Sequence, residues 1–104
     1  MSITTANVTT TVGNVYVSSG NTAITFLSLC NYSVGNITAN VHVVPNGATA
    51  NSINKILASI PITTLDTFQL YVTGEKLVLG NGDSVQVNAS GNSAVSAVTS
   101  YTSL

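Results

Sequence analysis

The sequence predicts an all-β protein, a single antiparallel β-sandwich of immunoglobulin-like type with seven to eight strands. Three observations predict it. The apolar residues are largely β-branched and alternate with polar ones at period two, the pattern of half-buried strands. Short Gly- and Asn-rich signals separate these runs. The 104 residues make one domain, of a size that buries roughly 60–70% of the surface its unfolded chain exposes.

Taken in order, residues 2–12 are Thr-rich with weak alternation, so residues 1–20 are read as an edge strand or arm ahead of a sandwich core over 21–104. Val15 and Val17 alternate with Asn14, Tyr16 and Ser18. Residues 23–30 are more continuously apolar, which predicts a central strand covered on both faces. Ile37, Ala39, Val41 and Val43 point one way, and Thr38, Asn40, His42 and Val44 the other. Residues 54–61 are ambiguous. Ile53, Ile56, Leu57 and Ile60 have helical spacing, yet Ile56, Ala58, Ile60 and Ile62 fit period two. A helix this short is marginal in water, so a strand is expected, with Pro61 at an edge or a strand end. Phe68, Leu70 and Val72 alternate with Thr67, Gln69 and Tyr71, and Val85, Val87 and Ala89 with Gln86 and Asn88. Val95, Ala97, Thr99 and Tyr101 complete the pattern.

Turn signals fall at Ser18-Ser19-Gly20-Asn21, Ser33-Val34-Gly35-Asn36, Pro45-Asn46-Gly47, Gly80-Asn81-Gly82-Asp83 and Ser90-Gly91-Asn92. Asn-Gly favours positive φ at both central positions of a tight turn. Asn81-Gly82 is therefore read as a hairpin between residues 77–79 and 85–87, and Gly35-Asn36 as the link from the Phe26 strand to the Val41 strand.

Composition limits the function. The charged residues are Lys55, Asp66, Glu75, Lys76 and Asp83, 5% of the chain, where about a quarter is usual. Hydrophilicity comes from Thr, Ser and Asn instead, and a formal net charge of −1 does little to keep copies apart. Such a surface suits a component fixed in an assembly. Two basic residues cannot build a phosphate-tracking surface, so no nucleic-acid partner is expected. No apolar run approaches the ~20 residues of a membrane helix, and the start has no secretory pattern, so neither membrane nor leader is expected.

No catalytic, cofactor-binding or metal-binding residue is assigned, and no small-molecule substrate is expected. Cys30 is the only cysteine and reads as a small buried hydrophobe. His42, the only histidine, reads as a surface residue on the polar side of its strand, without the acid and nucleophile catalysis needs. Asn81-Gly82-Asp83 lacks the further acids of a calcium loop, so Asp83 is expected to bond the turn backbone. Asp66 is placed in a tight turn as an acceptor of backbone N–H groups, and Glu75-Lys76 at a solvated strand start. Tyr16, Tyr32, Tyr71 and Tyr101 are the candidate interface residues, because tyrosine joins apolar area to a hydroxyl. Tyr71, opposite Phe68 and Leu70, leads them; packing at the rim of the core is the competing role.

Residues 36–104 also carry an ordered set of short matches. These are Asn40-Val41-His42-Val43-Val44-Pro45-Asn46-Gly47, Asn54-Lys55-Ile56-Leu57, Ile60-Pro61-Ile62, Asp66-Thr67-Phe68, and Glu75-Lys76-Leu77-Val78-Leu79-Gly80-Asn81-Gly82-Asp83-Ser84-Val85-Gln86-Val87. In this order they resemble small virion structural proteins of tailed bacteriophages. The resemblance implies a compact, non-catalytic β-sandwich repeated around head, neck or tail, located in the virion, with other virion proteins and copies of itself as partners. A capsid decoration or cement role is the first expectation, and a neck, tail or baseplate ancillary role the second. A carbohydrate-binding or adhesin-like module on a fibre is the rival, weakened by the absence of Trp.

Overall fold

The chain is described here from a computed structural model covering residues 2–71 and 77–104, with backbone alone at Leu70 and Tyr71. The described residues form nine strands and no helix. The strands are β1 Ser2–Val8, β2 Gly13–Val17, β3 Thr22–Asn31, β4 Ile37–Val44, β5 Lys55–Ile62, β6 Thr67–Tyr71, β7 Leu77–Leu79, β8 Ser84–Ala89 and β9 Val95–Ser103. One sheet has the order β1-β9-β3-β6, with β7 also on β3; the other has the order β2-β8-β4-β5. Every pairing is antiparallel. The alternating Val, Ile, Leu and Ala side chains of the two inner faces meet in one core, centred on Leu27, Leu29, Val41, Val87, Val95 and Ala97. Each fully buried Val or Leu there contributes about 1.5–3 kcal/mol of transfer free energy.

The sandwich is as expected, but its strand order differs from the immunoglobulin-like one. In immunoglobulin sheets several chain neighbours pair within a sheet. Here, among the described residues, β4 and β5 are the chain neighbours that pair. β6 and β7 lie one after the other along the same edge of β3, against Phe26–Cys30 partners and then Thr22–Ile24 partners. Counted as one interrupted strand, they give the sheet orders 1-8-3-6 and 2-7-4-5, which is jelly-roll topology, two Greek keys wound together.

This topology corrects the hairpin at Asn81-Gly82. β7 belongs to the β3 sheet and β8 to the β4 sheet, so the turn carries the chain across the sandwich. The tight turn itself is present: Asp83 N–H donates to the Gly80 carbonyl at 3.1 Å and Gly82 has φ +84°. Gly35-Asn36 does link β3 to β4, and it too crosses between sheets.

Residues 55–62 are a strand, and Pro61 lies at its end on a sheet edge. The helical-looking spacing has a cause. Ser59 adopts φ 49° and the β4–β5 register slips between Ala39 and Val41, so Leu57 pairs with Val41 while Ile60 pairs with Ala39. One extra residue in a β-bulge turns a spacing of two into three.

Two side chains sit elsewhere than expected. His42 is buried, 6% exposed, and Val44 on the same face is buried with it. In the ladder His42 lies between Gln86 of β8 and Lys55 of β5, and the register slips again between Val41 and His42. Cys30 is half-buried on the outer face of β3, with Phe26 and Ser28, while Leu27 and Leu29 take the core. β3 is central, yet its outer face is only partly covered.

Candidate interaction surface

The crossing connections gather the loops at two ends of the sandwich. At one end the β2–β3, β4–β5 and β7–β8 connections are clasped together. Asp83 accepts the Gly80 N–H at 2.9 Å with one oxygen and the Asn46 N–H at 2.8 Å with the other. Ser18 N–H donates to the Asp83 carbonyl and Gly82 N–H to the Ser18 carbonyl, at 2.8 and 2.9 Å. Asn81 Oδ1 accepts the Gly20 N–H at 2.9 Å. Asp83 thus bonds the turn backbone, as the sequence indicates, and both its oxygens are occupied by N–H donors.

At the other end meet the β1–β2, β3–β4, β5–β6 and β8–β9 connections. Asn31 is fully buried and its side chain is fully used. Its Nδ2 donates to the carbonyls of Gly35 and Ile62 at 2.8 and 2.9 Å, and its Oδ1 accepts from Ser33 N–H and Oγ at 3.0 and 2.7 Å. The β5–β6 loop is braced against it. Thr64 N–H donates to Asn36 Oδ1 at 3.1 Å, and its hydroxyl donates to the Ser33 carbonyl. Asp66 accepts Thr67 N–H at 2.8 Å and the Thr63 hydroxyl at 3.2 Å, the turn role expected of it.

These braced loops hold two apolar side chains out into solvent. Val34 is 97% exposed and Leu65 74%. Leu65 also has φ 60°, a left-handed backbone that a side chain of its size rarely adopts and that costs on the order of 1 kcal/mol. Tyr32 stands beside them, 46% exposed, its hydroxyl donating to Asn7 Oδ1 at 2.8 Å.

No family model, curated protein or solved structure matches the chain.

The expected tyrosines divide. Tyr16 and Tyr101 come together from opposite sheets, ring centroids 4.2 Å apart at 32°. Both pack against the core, and Tyr16 Oη lies 3.1 Å from Thr22 Oγ1. Tyr32 keeps an exposed face. The side chain of Tyr71 and the Glu75-Lys76 pair lie outside the described residues. Val34 and Leu65 escaped the sequence reading, because a single apolar residue within a turn signal has no periodicity to mark it.

Among the described residues chemically reactive geometry is sparse. Among the described residues no three His, Cys, Asp or Glu side chains gather as a metal would need. A cavity of about 10 Å³ between the sheets, lined by Ile24, Leu27, Val41, Leu77 and Thr99 among others, has room for one water at most. A second, beside β1 and β2, is about 50 Å³, well below small-molecule sites. His42 Nδ1 is buried without a partner. Burial pushes the His42 pKa below its ordinary value; a hydrogen bond with the Gln86 backbone pulls it up, and the nearby Lys55 ammonium pushes it further down.

Proposed function

We propose that the chain is a structural component of a bacteriophage virion, a decoration or cement protein of the capsid, with a neck, tail or baseplate position as the variant of the same role. The observation that carries this reading is the braced loop end. Val34 and Leu65 project from loops fixed by Asn31, Thr64 and Asp66, and Leu65 holds a strained backbone while its side chain stands in solvent. Rigid apolar prongs on an almost uncharged surface fit a neighbouring protein whose contact is also neutral. Jelly rolls recur in viral capsids, and also in lectins and other proteins, so the fold supports the reading by analogy alone. A carbohydrate platform gains no support from Tyr16 and Tyr101, whose rings pack against the core.

Purified particles test this directly. Mass spectrometry and cryo-electron microscopy should find the chain in a fixed ratio to the major shell or tail protein. It should stay bound as sodium chloride rises toward about 1 M, where charges are screened within ~3 Å, and leave in urea. Absence from washed particles overturns the proposal. Release by salt alone overturns the neutral contact.

A further inference from the structure

Four strands or strand pairs lie at sheet margins with no ladder partner on their far side among the described residues: β1, the β6–β7 edge, β2 and β5. A free edge presents unpaired N–H and C=O groups and invites other strands, so native proteins blunt edges with charge, proline, bulges or brevity. β5 carries Lys55 and Pro61 and slips register twice against β4. β2 has five residues and slips between Asn14 and Tyr16. β6 and β7 are five and three residues long. β1 has none of these protections. It runs seven residues in unbroken register with β9, from Ser2 opposite Tyr101 to Val8 opposite Val95, without charge or proline. Thr4, Ala6 and Val8 lean on the sandwich, while Ile3, 69% exposed, Thr5 and Asn7 stand on the outer face.

We propose that β1 pairs with β1 of a second copy of this chain, antiparallel about a two-fold axis at Thr5. The edge offers backbone groups, so its occupant is a strand, and three features favour a copy. β1 carries no charge and the whole chain only −1, so nothing on either copy repels the other. Pairing about Thr5 sets Ser2 opposite Val8, Ile3 opposite Asn7 and Thr4 opposite Ala6, so all seven residues take part and core-side residues meet core-side residues. Thr5 then faces Thr5, a favourable cross-strand pair. The contact is isologous and closes on itself, joining two five-stranded sheets into one and removing the unprotected edge. The inference deepens the assembly reading and rests on it for its use in a particle, while its chemistry stands on β1 alone.

Sedimentation equilibrium of the purified full chain, over about 1 to 100 µM, tests it. The expected species is a dimer that dissociates on dilution. Thr5→Lys places two like charges against each other and should raise the dissociation constant about tenfold or more, as should Thr5→Glu. Mixing the two variants should restore association, which no loss of folding could do. Ser19→Lys, at the far loop end, should leave the dimer unchanged. A chain monomeric throughout the range, a dimer indifferent to Thr5→Lys, or a mixture that fails to re-form overturns the pairing. A monomer still found in particles sinks the pairing and spares the assembly role; a dimer missing from particles does the reverse.

Discussion

The carboxylate of Asp83 holds the backbone N–H of Asn46 at 2.8 Å, across 37 residues of sequence. With its second oxygen on Gly80 N–H, this one side chain ties the β4–β5 loop to the β7–β8 crossing. Asp83→Ala should destabilise the fold by about 1–2 kcal/mol, the range for charge-assisted bonds that are partly exposed. Asp83→Asn keeps one acceptor and should lie between. Thermal melting reads both, at about 4–8 °C per kcal/mol in a domain of this size. An unshifted Asp83→Ala would show the clasp to be energetically idle.

Gly82 sits inside that clasp. A Cβ there would lie 2.5 Å from Asn46 Cγ, and the backbone has φ +84°. Gly47 has nearly the same φ, +85°, with open space around it. Gly47→Ala should cost about 1 kcal/mol from backbone strain alone, and Gly82→Ala distinctly more. Adding Asn46→Ala should bring the Gly82→Ala cost down to that of Gly47→Ala. The double-mutant cycle in urea denaturation checks this, and a coupling near zero would refute the steric account.

Buried His42 gives the fold a pH dependence. Its folded pKa is lowered, so the unfolded chain binds the proton more tightly. The stability it allows is complete above the unfolded value of about 6.5 and is lost as pH falls through the lower folded value. Urea midpoints should therefore fall from about pH 7.5 to pH 5, a window above ordinary carboxylate titration. His42→Gln should flatten that slope. His42→Ala should cost about 1–2 kcal/mol at pH 7.5 as a buried truncation. A slope unchanged in His42→Gln would assign it to other groups.

Leu65 separates stability from binding. Glycine accepts φ 60° without strain, so Leu65→Gly should leave the melting temperature unchanged or raise it slightly. If Leu65 is a contact prong, the same change should weaken attachment to particles about tenfold or more, as the loss of a buried anchor does. Undiminished attachment would remove Leu65 from the interface.

Much of this architecture is legible in sequence, because strand alternation reports a local property, which face each residue shows. Val85, Val87 and Ala89 point inward as read, and so do Val95 and Ala97. What sequence leaves open is decided between distant segments. Asn81-Gly82 specifies that the chain reverses, not which sheet receives the next strand. Counting by twos gives His42 the face it shares with Val44, but not that this face is buried there. The Leu57–Ile60 spacing imitated a helix because Ser59 is an added residue in a strand. The prongs Val34 and Leu65 become visible only when their loops are seen braced together.

The pairing of β1 with β9 joins the first of the nine described strands to the ninth. During synthesis β1 leaves the ribosome long before β9, its hydrogen-bonding partner. Crossing connections give neighbouring strands little chance to zip locally, and topologies dominated by non-local pairing fold slowly. The nascent chain must therefore wait with an uncharged Thr-rich segment unpaired, a state exposed to association with other nascent copies. Few side chains of β1 are large and apolar, which limits that association until β9 arrives to pair with it.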